Sequence, residues 1–102
     1  MKITEGGVTA PIGYKAAGLR AGIKPNATRK DMALIWSEEP AVCAGTFTKN
    51  VVKAAPVFWD KMIVTEEETA QAIVINSGIA NACTGQEGID NCRKEAEAVG
   101  RC

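Results

Sequence analysis

The chain has 102 residues, and its 12 Lys plus Arg balance 12 Asp plus Glu, so its formal net charge is zero. That length provides one modest domain or a piece of a larger one. Neutrality removes the broad positive field on which non-specific nucleic-acid binding depends. No apolar run approaches the ~18 residues of a membrane-spanning helix.

Apolar residues make up 46 % and charged residues 24 %, proportions of a folded chain rather than a disordered one. Histidine is absent, which removes the commonest general base and the commonest transition-metal ligand. The four cysteines, Cys43, Cys83, Cys92 and Cys102, form no CxxC pair, so zinc-ribbon and thioredoxin motifs are missing. Residues 1–7 carry no apolar core of a signal peptide, and the expected compartment is the reducing cytosol. Free thiols with no structural metal are therefore expected. Cys43 and Cys92 read as small buried apolar residues and Cys102 as exposed.

In chain order, Gly6, Gly7, Pro11 and Gly13 describe an irregular opening loop. Tyr14 to Ile23 reads as a strand of small residues. The Pro25-Asn26 pair within 24–30 marks a turn. Asp31 to Trp36 reads as the returning strand, with Met32, Leu34 and Trp36 on one face and Ala33 and Ile35 on the other. Ser37-Glu38-Glu39-Pro40 reads as a second turn, and Ala41 to Thr48 as a third strand, completing an antiparallel meander. Pro56 suits a helix start, which predicts a helix over about 55–63. Thr65 to Gln71, with Glu66, Glu67 and Glu68 in a row, reads as a solvated loop rather than a cation site. The apolar run Ala72-Ile73-Val74-Ile75 predicts a strand covered on both faces.

The last element is a helix. Thr84 and Glu87 have capping-box spacing. Ile89, Cys92, Ala96 and Val99 then recur on one helical face, and Gly100 marks the stop. The expected core is Met32, Leu34, Trp36, Phe47, Ile73, Val74, Ile75 and Ile89.

Familiar catalytic motifs are missing: GxxxxGK, GxGxxG and GxSxG do not occur, and no Ser–His or Cys–His pair is available. Asp31, Asp60 and Asp90 sit in stretches that read as turns or solvated faces. The polar segment from Asn76 to Gly85 is the one candidate site. It joins a strand to a helix start, a place where backbone N–H groups can meet an anion or oxyanion. The competing reading is that Asn76 and Asn81 shape turns while Thr84 caps the helix.

Five strings occur in order: Gly7-Val8-Thr9-Ala10-Pro11, Gly13-Tyr14-Lys15-Ala16-Ala17-Gly18, Ala44-Gly45-Thr46-Phe47-Thr48-Lys49-Asn50, Val52-Lys53-Ala54-Ala55-Pro56-Val57, and the Asn76–Gly85 segment. Together they resemble the N-terminal part of the bifunctional ornithine acetyltransferase / N-acetylglutamate synthase family of arginine biosynthesis. The likeness runs from about Gly6 to the last residue. The chain departs from the family loop Asn-Ser-Gly-Asn-Ala-Asn-Ala at Ile79, where the second Asn is expected, so a polar contact there is not carried over.

The resemblance implies an α/β fold with a largely antiparallel sheet and helices packed on it, part of a layered α/β sandwich. It makes residues 1–102 an incomplete N-terminal α-chain domain with no second domain. Members of the family are longer precursors that cut themselves before a threonine, giving α and β chains that stay together. That threonine is the nucleophile of a ping-pong acetyl transfer from N-acetylornithine to glutamate. The bifunctional name adds acetyl-CoA as a second acetyl source. The nucleophile, the catalytic lysine and the Thr-Gly oxyanion pair match no position in residues 1–102, so no catalytic residue is expected here. Thr84-Gly85 stands in a different motif context and is not that pair. Asn76, Asn81 and Thr84 are the residues expected to support the substrate site. No cofactor and no metal ligand are expected. The expected partners are the rest of the α chain, the β chain and the small-molecule substrates, with no nucleic acid and no membrane. Two other readings are a non-catalytic small-molecule or protein binding module and a purely structural fragment.

Overall fold

A computed structural model of the chain describes residues 2–26 and 28–102; Ala27, within the first expected turn, lies outside the described residues. The element order is β1 (Tyr14–Leu19), β2 (Met32–Val42), α1 (Ala55–Glu66), β3 (Thr69–Asn76) and α2 (Gly85–Gly100). The class is α/β, with an antiparallel sheet and two helices, as the sequence implies. The chain divides into two compact units, Met1–Ala41 with Gln71–Gly78, and Val42–Ala70 with Ile79–Cys102.

The first unit is built on a sheet of order β1-β2-β3. β1 pairs antiparallel with β2, from Tyr14 opposite Ser37 to Leu19 opposite Met32. On the other side, the Ser77 N–H donates to the Asp31 carbonyl (2.9 Å) and the Gln71 amide donates to the Ser37 carbonyl (3.4 Å). The two links join opposite ends of the strands in reverse order, so β3 runs antiparallel to β2.

Asp31 explains why β1 stops at Leu19 rather than continuing to Ile23. Its carboxylate accepts the N–H groups of Ala21 (2.6 Å), Ile23 (2.8 Å) and Lys24 (3.2 Å). A side chain thereby satisfies donors that a neighbouring strand would otherwise satisfy. Its own N–H donates to the Leu19 carbonyl (3.1 Å). Asp31 is only 3 % exposed, which corrects its placement among solvated turns.

The meander is also corrected. Ser37-Glu38-Glu39-Pro40 is not a turn but the continuation of β2. The Glu38 N–H donates to the Gly13 carbonyl (2.8 Å), and Lys15 pairs with Glu38 at 2.7 Å. Pro40 lies beyond the last β1 pair, where no ladder donor is required on that side. Of the expected third strand, only Ala41 and Val42 are extended pairing residues, as the end of β2; residues 43–48 are irregular, and β3 is the sheet's third strand.

In the second unit α1 and α2 pack against each other. Helix α1 starts at Ala55 with Pro56 in its first turn and runs past the expected Ile63 to Glu66. Its first N–H, from Ala55, donates to the Asn81 carbonyl (3.1 Å), which replaces a side-chain cap. Helix α2 turns Cys92 and Gly88 inward, with Ile89, Ala96 and Val99 half-buried beside them, so the predicted face is the packed one.

The expected core is overturned in its details. Met32, Leu34, Trp36, Phe47, Val74 and Ile89 are half-buried, and Ile73 and Ile75 are exposed. Among the described residues, the buried apolar side chains are Ala55 and Cys92. β3 forms where the apolar run predicts it, but Ile73 and Ile75 lack the cover that run implies. Cys43 is half-buried rather than buried, Cys83 and Cys102 are exposed, and all four thiols are free.

Candidate functional site

The Asn76–Gly85 segment spans both units, and each part has its own geometry. In the first unit, Asn76 closes β3, and Ser77 carries the hydrogen bond to Asp31. Gly78 follows with φ +112°, a conformation that favours glycine. A Cβ there would come within 2.8 Å of Lys24 Cγ and 3.3 Å of Ile23 Cγ2, so the chain lies directly against the loop that Asp31 holds.

In the second unit the segment is tightly curved. Asn81 (φ 48°), Cys83 (φ 57°) and Gly85 (φ 59°) all adopt the left-handed region. Asn tolerates that conformation through local hydrogen bonding, whereas for Cys it is costly and has to be over-determined by surrounding contacts. Asn81 supplies many of those contacts. Its Nδ2 donates to the Gly88 carbonyl (3.0 Å) and lies 3.5 Å from Cys92 Sγ. Its Oδ1 accepts the Thr84 hydroxyl (2.6 Å), and its main-chain carbonyl accepts the Ala55 N–H. Ala82 forms an isolated antiparallel bridge with Ala54. One asparagine therefore ties together the starts of α1 and α2.

The capping box predicted for Thr84 and Glu87 is not formed. Thr84 is the N-cap residue, but φ −98°, ψ 0° take it out of the extended conformation of a capping side chain, and its hydroxyl turns to Asn81. Gly88 makes this possible. A Cβ at Gly88 would overlap Thr84 Oγ1 and lie 2.7 Å from Asn81 Oδ1. The structure thus brings Asn81 and Thr84 into direct contact and sets Asn76 at the end of β3.

The electrostatics of this corner are mild. Burial pushes the Cys92 thiol above its usual pKa, with the Glu95 and Asp60 carboxylates adding to the rise and the Asn81 amide opposing it. Burial likewise raises the Asp60 carboxyl. Thr84 donates to an amide oxygen rather than to a base, which is not the arrangement of an activated nucleophile. Among the described residues no cluster of three His, Cys, Asp or Glu side chains is placed to hold a metal ion. What the loop supplies chemically is a fixed backbone path with the Asn81 and Thr84 side chains already engaged.

Sequence reasoning missed Asp31, the buried polar residue of the first unit. Its three acceptor contacts reach back across a loop, and neither spacing nor periodicity announces them. The glycine and proline punctuation of residues 22–25 was the available signal, since such a loop needs an acceptor for its inward N–H groups.

The ArgJ family matches residues 15–102. The chain belongs to the ArgJ family. The arginine biosynthesis bifunctional protein ArgJ of Mycolicibacterium paratuberculosis is 49 % identical over 98 residues, covering 95 % of this chain and 24 % of that protein. The chloroplastic ArgJ of Ostreococcus lucimarinus is 44 % identical over 100 residues, covering 98 % of this chain and 22 % of that protein. Among solved structures, the ArgJ protein of Bacillus halodurans superposes with a TM-score of 0.77 at 44 % identity, over 83 % of this chain and 44 % of that one. Ornithine acetyltransferase from Mycobacterium tuberculosis, solved in complex with ornithine, gives 0.74 at 51 % identity, over 80 % of this chain and 42 % of that one. The chain spans about a quarter of the length of these curated ArgJ relatives.

Proposed function

We propose that this chain supplies the N-terminal part of an acetyltransferase of arginine biosynthesis. The assembled enzyme moves acetyl from N-acetylornithine to glutamate through a threonine nucleophile outside residues 1–102. The reading rests on 51 % identity, with a TM-score of 0.74, to an ornithine acetyltransferase solved with ornithine. The precursor cuts itself into α and β chains, and residues 1–102 form an incomplete α-chain domain. The coverages agree with such a division: the chain spans 42–44 % of the solved chains but 22–24 % of the curated proteins. The solved chains are thus roughly half as long as the curated ones. We place the enzyme in the reducing cytoplasm, which suits four free thiols.

In this reading the Asn76–Gly85 loop supports the substrate site and performs no chemistry. Asn81 and Thr84 act by holding the loop's shape, since their side-chain groups are spent on each other and on α2. Asn76 lies at the end of β3, one residue before the Ser77–Asp31 link. Rigid support of this kind positions a site more precisely than a free loop does.

The test is acetyl transfer from N-acetylornithine to glutamate, measured with the chain alone and with the remaining part of an ArgJ protein. No turnover alone and turnover on combination are expected. Turnover by the chain alone, or none by a stable combined complex, overturns the reading.

A further inference from the structure

We infer that Lys24 is a binding residue for the α-carboxylate that the amino-acid substrates share. The inference rests on the proposed function for the identity of those substrates and for placing the Asn76–Gly85 loop at their site. Within the first unit, Asn76 ends β3 and Gly78 lies against Ile23 and Lys24. Asp31 fixes Lys24 at its main chain. The buried Asp31 carboxylate accepts the Lys24 N–H (3.2 Å) together with those of Ala21 and Ile23, and the Asp31 carbonyl accepts the Ser77 N–H (2.9 Å). One residue therefore holds the root of the lysine side chain and the end of β3 in a single frame. Gly78 then fixes the stem. A Cβ at Gly78 would lie 2.8 Å from Lys24 Cγ and 3.5 Å from Lys24 Cε, so the methylenes run over the glycine. A residue without Cβ leaves that track open, and φ +112° independently favours glycine there.

What the stem delivers is an uncompensated charge. Among the described residues the ion pair is Lys15 with Glu38, and no carboxylate pairs with Lys24. Asp31 spends its carboxylate on three main-chain donors rather than on the ammonium. Lys24 is exposed, so its ammonium is open to a ligand arriving from solvent. The chain's net charge is zero, so attraction for an anion here is local and not a property of the whole surface. A carboxylate suits such a group. An ammonium offers three N–H donors and a full charge, and its hydrogen bonds to a charged acceptor are shorter and stronger than neutral ones. Holding the stem beforehand lowers the rotamer entropy that a lysine loses on binding. Glutamate and N-acetylornithine differ at their far ends but share the α-carboxylate, so one fixed cation serves both halves of the transfer. The competing role is packing alone, with the methylenes covering Gly78 and the charge merely solvated.

The experiment compares Lys24→Met, Lys24→Arg and Lys30→Met in the 102-residue chain, each combined with the part of the Mycolicibacterium paratuberculosis ArgJ protein that this chain does not match. Methionine keeps an apolar stem over Gly78 and removes the charge. In Lys24→Met, KM should rise about tenfold or more for both glutamate and N-acetylornithine, with kcat within about twofold. Lys24→Arg should recover most of the affinity, because the charge returns. Lys30→Met removes an exposed charge from the same β1–β2 connection and should leave both KM values unchanged. Melting temperatures should agree throughout, since both lysines are exposed. If Lys24→Met melts lower, Lys24→Gln decides by the same kinetics. Calorimetric titration with ornithine, which is what N-acetylornithine becomes on losing acetyl, should show the same loss of affinity without requiring turnover. Unchanged KM in Lys24→Met, a rise for one substrate alone, a fall in kcat at constant KM, no recovery in Lys24→Arg, or an equal effect of Lys30→Met each overturns the inference. An inactive complex whose ornithine affinity still depends on Lys24 refutes the proposed activity and upholds the Lys24 contact. An active complex indifferent to Lys24→Met refutes the Lys24 contact alone. Neither turnover nor ornithine binding by the unsubstituted combination overturns both.

Discussion

Gly88 is where a single methyl group tests the geometry of the Asn81 corner. In an ordinary helix interior, Gly→Ala stabilises by about 0.4–1 kcal/mol, because alanine has less backbone freedom to lose. Here the added Cβ would overlap Thr84 Oγ1, lie 2.8 Å from Thr84 Cβ and lie 2.7 Å from Asn81 Oδ1. Both neighbours are short side chains joined by a 2.6 Å hydrogen bond, so neither can swing aside without breaking it. Losing that bond costs about 1 kcal/mol. Overpacking adds about 1–3 kcal/mol, which outweighs the propensity gain. Gly88→Ala should therefore destabilise the chain by about 1–3 kcal/mol net. The sign should change once Thr84 is reduced to glycine. That substitution removes both threonine atoms from the overlap and frees the Asn81 amide to relax. In the Thr84→Gly background, Gly88→Ala should range from neutral to about 1 kcal/mol stabilising. Urea unfolding followed by far-ultraviolet circular dichroism of the four-member cycle measures the coupling, provided the denaturant slopes agree. Additive effects, or stabilisation by Gly88→Ala beside an intact Thr84, would refute the packing argument.

Three further outcomes follow from the same contacts. The Ala21 N–H, with help from those of Lys24 and Ile23 and against the cost of burial, holds the Asp31 carboxyl below its ordinary 3.8, so this residue stabilises the fold above that pH and loses its contribution as pH falls through the lower folded value; Asp31→Asn should lower the melting temperature at neutral pH and flatten its fall below about pH 4, and a parallel acid limb would count against the carboxylate. Asn81→Ala should cost about 1–3 kcal/mol by leaving Gly88 O and the Thr84 hydroxyl without their partner, and should slow acetyl transfer by the combined enzyme; normal kinetics in the folded fraction would confine Asn81 to folding. Cys92, 7 % exposed and with a raised thiol pKa, should be alkylated well after Cys83 and Cys102 when peptides are followed by mass spectrometry; equal rates would contradict the packed α1–α2 face.

Local periodicity made α2 legible. Ile89, Cys92, Ala96 and Val99 are close enough in sequence for a 3.6-residue repeat to place them. The start of β1 and the location of β3 were legible for similar reasons. What failed depended on partners distant in sequence. Glu38 and Pro40 carry every local mark of a turn, yet Gly13 and Lys15 hold Glu38 in a strand. Thr84 has the spacing of a cap, but Asn81 offers its hydroxyl a better acceptor. Ile73 and Ile75 read as core because their composition answers to two covering layers, yet both are exposed in the described chain. The candidate loop was found at the right place, but its carboxamide contacts to Gly88 and Thr84 depend on left-handed turns that residue type only hints at.

The sheet is interrupted along the chain: β1 and β2 are joined by one loop, whereas β3 is reached only after residues 43–68, which include the whole of α1. This arrangement has little thermodynamic cost. The β2–β3 connection is roughly twice the β1–β2 connection, and a doubling of loop length costs about 0.6 kcal/mol in closure entropy. Its consequence is one of timing. During synthesis the hairpin can close early, while the far edge of β2 keeps its N–H and C=O groups unpaired until β3 has emerged. An open edge beside apolar Leu34, Ile35 and Trp36 is a template for pairing with another chain. Substitutions that delay α1 should therefore appear first as aggregation of nascent protein, before any loss of stability in the finished fold.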